Sequence, residues 1–173
     1  MGSKKLAHIF WGARHGEVQR RYRRLPCRIA DVLNESLDLV DYKARQVGVT
    51  IKRQTEVCGD MTIVTDHNRF RLILVNLLSN AIKFNHPQGE VIISCEQRGT
   101  GLSISIQDNG MGIPAAMHHR MFNPFDRLGR EGGNIDGVGI GLAIAKRSVE
   151  SLGGTIDFES IEGQGSTFRV ALG

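Results

Sequence analysis

The stretch Asn76 to Phe84, NLLSNAIKF, closes a long apolar run that begins at Phe70 and carries three polar side chains at i, i+4 and i+7. At ~100° per residue, Asn76, Asn80 and Lys83 fall within about 60° of arc, so a helix here shows one polar stripe. Leu74, Leu78, Ala81 and Ile82 lie on the opposite side, which predicts packing on a sheet. Asn inside a helix costs roughly 0.5 kcal/mol relative to Ala. Flanked by Leu72 and Ile73, the two carboxamides therefore need polar partners. Two readings stay open from this helix alone: solvated or internally satisfied side chains, or a face that binds something polar.

The flanking sequence supplies further elements. Up to about Pro26 the chain is basic, with Arg14, Arg20, Arg21, Arg23 and Arg24, and its apolar positions Leu6, Ile9, Phe10 and Val18 are too sparse for a core. It is expected to be a solvated tag or linker. Cys27 to Ile29 is a candidate short strand. Val32, Leu33, Leu37 and Val40 recur at helical spacing between Ala30 and Gln46, and Gly48 is placed to end that helix. Val49 to Gln54 and Met61 to Thr65 are candidate strands. Asp66 is a candidate N-cap for a helix over His67 to Phe84, which Asn85, His86 and Pro87 terminate.

Val91 to Arg98 and Leu102 to Asp108 alternate apolar and polar residues across Gly99-Thr100-Gly101, the pattern of a hairpin with one buried face. Ile113 to Ile135 lacks periodicity and is expected to be a long functional loop with one short helical turn. A helix over Ile140 to Leu152 and strands over Thr155 to Glu159 and Ser166 to Leu172 complete the chain. The predicted fold class is α+β, a two-layer sandwich with a mixed, mostly antiparallel sheet and three main helices on one face.

A chain of 173 residues, 40% hydrophobic and 23% charged, is ordinary for one globular domain with a true core. No apolar run is long enough to span a bilayer, and no signal-peptide core opens the chain, so a soluble, cytoplasmic segment is expected. The net charge of +4 comes largely from the N-terminal arginines. No aromatic platform or recognition-helix pattern accompanies it, which argues against nucleic acid. Cys27, Cys58 and Cys95 are odd in number, widely spaced and without CxxC, so neither a zinc site nor a disulfide is expected.

Three glycine clusters follow the central helix: Asp108-Asn109-Gly110-Met111-Gly112, Gly137-Val138-Gly139-Ile140-Gly141 and Gly163-Gln164-Gly165. Each alone marks a turn. Glycines just before a helix also let backbone approach an anion, which the first-turn N–H groups and the helix dipole favour. Neither the dinucleotide fingerprint nor a P-loop is present, so a phosphate site here belongs to a different fold.

The set of motifs resembles the catalytic domains of histidine kinases. NLLSNAIKF resembles their N box, DNGMGI the G1 box, FNPFDR the F box, GVGIGLAIAK the G2 box and GQGSTF the final glycine box, in family order over about residues 27–173. The resemblance implies the Bergerat ATP-binding fold shared with type II topoisomerases, MutL-type repair proteins and heat-shock chaperone ATPases. It implies ATP and Mg²⁺ as cofactors, with Asn80 as the metal ligand and Asn76 and Lys83 at the phosphates. It puts Asp108 on the adenine amino group, Gly110 and Gly112 beside the purine, and Ile113 and Phe84 along its faces. Thr167 would bond the ring, Gly137, Gly139, Gly141 and Leu142 would border the phosphates, and Arg127 would reach the γ-phosphate. The catalytic set would be Asn76, Lys83 and Arg127. Phe84 has a competing reading as core, and Phe122 and Phe125 are expected to anchor the loop. His118 and His119 are expected on the surface. His15 lacks the context of a phosphoacceptor histidine.

The implied function is transfer of the ATP γ-phosphoryl to a histidine on dimerisation helices absent from this chain, residues 1–26 being a tag, a linker or the tail of those helices. A response-regulator receiver domain would be an indirect partner. The isolated piece is expected to be monomeric, and membrane anchoring of a longer parent is left open. The alternatives are a nucleotide-binding pseudokinase or scaffold and an ATP hydrolase. Hydrolases of the fold place a water-activating glutamate four residues before the metal asparagine, where this chain has Asn76.

Overall fold

The computed structural model describes residues 23–126 and 139–173. The basic tail and His15, and Arg127 and Gly137 of the expected site, lie outside those residues.

Strand β1 (Leu25–Arg28) runs directly into helix α1 (Ile29–Val47). Ile29, Val32, Leu33, Val40 and Ala44 of α1 are buried, which is the helical spacing of the sequence. Gly48 ends α1 in left-handed backbone, and the Val49 N–H closes the turn on the Ala44 carbonyl at 2.9 Å. Strands β2 (Thr50–Gln54) and β3 (Thr62–Thr65) follow. Helix α2 (His67–Lys83) is capped by Asp66, whose carboxylate accepts from the Arg69 N–H at 3.0 Å. Such a cap is worth about 1 kcal/mol. Strands β4 (Glu90–Arg98) and β5 (Gly101–Asp108) form the expected hairpin, with Val91 opposite Asp108. A 3₁₀ helix at Ala115–Arg120, helix α3 (Gly141–Ser151) and strands β6 (Thr155–Ile161) and β7 (Gly165–Leu172) come last.

The main sheet has the order β2-β4-β5-β7-β6 and is antiparallel except for the parallel β2–β4 pair. Strands β1 and β3 stand apart from it as a two-stranded antiparallel pair. They lead into α1 and α2 respectively, and because they run antiparallel the two helices start from opposite ends of the pair, which the Ile29 N–H to Met61 carbonyl bond extends.

Helix α2 lies between α1 and α3 and against β4 and β5. Phe70, Ile73, Leu74, Leu77, Leu78 and Ile82 are almost fully buried there. Each such side chain contributes roughly 1.5–3 kcal/mol relative to exposure. On the sheet, Val91 and Ile93 of β4, Ile104 and Ile106 of β5 and Phe168 and Val170 of β7 complete the core. With three sides of α2 covered, its polar stripe takes the remaining open side.

The cysteines depart from expectation. Cys58 is bonded to Cys95 with Cα atoms 6.1 Å apart, and Cys27 is the free cysteine. Tight turns, Cys58 N–H to Thr55 carbonyl and Met61 N–H to Cys58 carbonyl, fold the β2–β3 connection back onto β4. A separation of 37 residues hid that approach from any spacing rule. No helix among the described residues is long and apolar enough to cross a membrane.

Candidate functional site

The site has two ends, and strand parity builds the first. Leu102, Ile104, Ile106 and Asp108 share the core side of β5, because side chains alternate along a strand. Asp108 is therefore the last core-facing position, a carboxylate 8% exposed at the sheet's edge. Its Oδ1 accepts the Gly110 N–H at 2.9 Å. Burial pushes its pKa above the usual carboxylate value, while bonds from the Gly110 and Ser166 backbones pull it back. At Gly112 the backbone is left-handed at φ 61°, and a Cβ there would run into the Ile161 carbonyl.

Parity also corrects one assignment. Thr167 pairs with Gln107 and Glu159, on the sheet face turned away from Asp108. Ser166 pairs with Asp108 and takes the position expected of Thr167. Ser166 and Ser160 hydroxyls are 2.9 Å apart. Ser160 also donates to the Gly165 carbonyl at 3.0 Å and accepts the Ile113 N–H at 2.9 Å. Two serines that the motif reading passed over thus join the loop after β5 to the β6–β7 turn. Their alternation with Phe158 and Phe168 along the two strands was the available signal.

The second end is the polar stripe. A Cβ on Gly141, the first residue of α3, would stand 3.0 Å from Asn76 Oδ1 and 3.7 Å from Asn80 Nδ2. The start of α3 therefore abuts the middle of α2. Asn76 Nδ2 donates to the Leu72 carbonyl at 2.8 Å, which fixes the carboxamide on the helix. Among the described residues no side chain caps α3, and its start, the positive end of the helix dipole, lies beside the stripe. Lys83 and Phe84 are half-buried, with the ammonium 4.7 Å from the ring centroid. The Phe84 carbonyl accepts the Met111 N–H at 3.0 Å, which ties the last turn of α2 to the loop after Asp108. The stripe and the carboxylate are thereby parts of one structure.

Ile113 is buried and Leu142 packs on the core. Gly139 is left-handed and its carbonyl accepts the Phe125 N–H. Phe122 meets Phe158 edge-on at 5.8 Å, whereas Phe125 is 62% exposed. His118 is half-buried rather than on the surface, because its ring packs edge-on to Phe158 at 5.1 Å and bonds the Ile113 carbonyl; His119 is exposed.

Among the described residues no three His, Cys, Asp or Glu side chains converge as a metal cage. A hard cation here would take from the chain the neutral Asn80 carboxamide oxygen and complete its shell with phosphate and water. That donor set fits Mg²⁺ held together with a nucleotide and not Mg²⁺ held alone.

The sequence profile of the family described as histidine kinase-, DNA gyrase B-, and HSP90-like ATPase matches residues 65–173. The adaptive-response sensory kinase SasA of Synechococcus elongatus is 41% identical over 98% of this chain and 43% of its own length. The circadian input-output histidine kinase CikA of the same organism is 35% identical over 84% of this chain and 20% of its own length. This chain therefore spans less than half of either relative. Among solved structures, full-length ShkA in complex with AMPPNP superposes with a TM-score of 0.74 at 27% identity, over 93% of this chain and 32% of that one. Buried carboxylate, asparagine stripe and glycine-led helix, in this sheet order and with these relatives, lead to one conclusion: the chain belongs to the histidine kinase-, DNA gyrase B- and HSP90-like ATPase family, as an ATP-binding catalytic domain of the histidine kinase type.

Proposed function

We propose that this domain binds ATP with Mg²⁺ and passes the γ-phosphoryl group to a histidine on dimerisation helices. The observation that carries the reading is the contact of the α3 start with Asn76 and Asn80. It supports a polar face on which the backbone N–H groups of α3 and Lys83, one helical turn beyond Asn80, would meet the phosphates and the Asn80 carboxamide would ligate the metal. Asp108 would accept the adenine amino hydrogen, which a guanine carbonyl cannot offer. Asn76 and Lys83 would contact the phosphates, with Gly137 and Arg127 joining from outside the described residues. Mg²⁺, when bound, would neutralise phosphate charge during transfer. The chain's own part is to orient the nucleotide and exclude water.

Transfer is favoured over hydrolysis by Asn76. A carboxamide takes no proton from water, and this one is already committed to the Leu72 carbonyl. A receiver domain would take the phosphoryl group in a later step, residues 27–173 would form the catalytic unit and the cytoplasm would be its place of action. The isolated chain should bind ATP·Mg²⁺ as a monomer without labelling itself. Adding the parent's dimerisation segment with radiolabelled ATP should produce acid-labile, base-stable phosphohistidine on that segment. Label appearing on this chain alone, or rapid release of inorganic phosphate with no protein label, would overturn the reading.

A further inference from the structure

Residues on the two sides of 127–138 are tied together by a device that the motif reading did not use. On one side Arg120 grips Asp126 through two parallel bonds, Nε to Oδ2 at 2.7 Å and Nη2 to Oδ1 at 3.0 Å. The Asp126 side chain is 11% exposed and that of Arg120 37%, so the carboxylate is largely withdrawn from water while the guanidinium stays in partial contact with it. Next to it, Phe125 is held at φ 64°, a conformation that a bulky residue adopts only when its surroundings impose it. Its N–H donates to the Gly139 carbonyl at 3.0 Å, and two residues later Gly141 meets Asn76 and Asn80.

Arg120 has a firm base. It ends the 3₁₀ helix, which His118 and Phe122 anchor to Phe158 of β6, and its Nη1 lies 3.6 Å from Met117 Sδ. A guanidinium fork on a carboxylate fixes direction as well as distance, which a single ammonium contact does not. The described contacts therefore run from β6 through Arg120 and Asp126 to the start of α3. The adenine end rests on Asp108, Gly110, Ser160 and Ser166, and it meets this path at β6 and at Ile113, whose N–H bonds Ser160 and whose carbonyl bonds His118.

Resting on the nucleotide reading above, we propose that Arg120 is a positioning residue for the phosphate end of the site. Its fork holds Asp126, and with it the Phe125–Gly139 contact, so that the first turn of α3 meets the asparagine stripe. It touches no nucleotide itself. Loss of the fork should separate the two ends of the site, weakening phosphate binding and sparing the base.

The test measures the affinity of this chain for adenosine, ADP and ATP with Mg²⁺, unaltered and as Arg120→Met and Arg120→Lys. The methionine keeps the packing of the stem, and the lysine keeps the charge without the fork. ADP and ATP should bind roughly fivefold more weakly to Arg120→Met, with a smaller loss for Arg120→Lys, while adenosine affinity holds in both. Adenosine and ADP weakening in parallel, or neither weakening, would overturn the proposal. If Arg120→Met does not fold, the ratio of ADP to adenosine affinity in Arg120→Lys decides by the same criterion. Failure of the unaltered chain to bind ADP or ATP would overturn the nucleotide reading and this proposal with it.

Discussion

Asp108 and Ser166 stand directly opposite each other in β5 and β7, where the Ser166 backbone helps to favour the charged form of the Asp108 carboxylate against the effect of burial. The pair places an ionisable group at the C-terminal end of the central strand, on the core side of the sheet. Its exposure of 8% makes the charge costly in the absence of a ligand.

That cost has a sign. Burial raises the Asp108 pKa in the folded state, so folding is favoured with the group protonated and loses stability as pH rises from the ordinary carboxylate range through the raised value. Asp108→Asn keeps an oxygen for the Gly110 N–H and removes the charge. At about pH 7 the variant should melt above the unaltered chain, and the gap should close as pH falls towards the ordinary carboxylate range. Its ATP affinity should fall by about 1–2 kcal/mol, because the adenine amino group loses a charged acceptor. Thermal melts across pH and calorimetric titration check both, and unchanged ATP binding would reject the role of Asp108.

Gly141→Ala should separate stability from binding. Ala is favoured over Gly inside a helix by up to about 1 kcal/mol, so α3 itself gains. The new Cβ would press on Asn76 Oδ1 at 3.0 Å, and either the carboxamide or the helix start must give way. A melting temperature that holds or rises, together with ADP binding several-fold weaker, is the expected pair of results. Unchanged ADP affinity would show that this contact does not set the phosphate end.

Ser160→Ala removes the acceptor for the Ile113 N–H and the partner of Ser166. An orphaned backbone donor at a half-buried position costs roughly 1–3 kcal/mol. Denaturant unfolding should show a loss in that range, and adenosine affinity should fall with it as the loop after β5 loosens. Ser160→Thr keeps the hydroxyl and should retain most of both.

The Cys58–Cys95 bond closes a segment of 37 residues. On the chain-entropy account a crosslink of that length contributes up to about 4 kcal/mol. Thiol titration of the denatured, unreduced chain should therefore find a single reactive thiol, that of Cys27. Reduction, or Cys58→Ser with Cys95→Ser, should lower the unfolding free energy without altering ATP affinity, since neither sulfur touches the site's residues. Three thiols in that titration would rule the bond out.

The elements were largely legible in the sequence because they follow local rules. Asp66 as cap, Gly48 as stop and the alternation in β4 and β5 each act within a few residues, and each stands where expected. The glycine motifs were legible for the same reason, since they are contiguous. Asn76, Asn80 and Lys83 shared a stripe on paper because a helix turns by a constant angle. Other features needed the third dimension. Parity between two strands joined by a turn decided that Ser166, and not Thr167, faces Asp108. Cys58 met Cys95 only because a loop folded back on β4. His118 left the surface because Phe158, forty residues on, supplied a ring to pack against.

The sequence by itself determined which segments are helix and strand, because propensity, capping and periodicity act along the chain, and its contiguous motifs carried the family resemblance that implies a nucleotide site. Tertiary structure alone decided what those motifs touch. The meeting of Gly141 with Asn76, the register of Ser166 on Asp108 and the grip of Arg120 on Asp126 depend on how the layers pack, and packing joins residues by distance in space rather than along the chain.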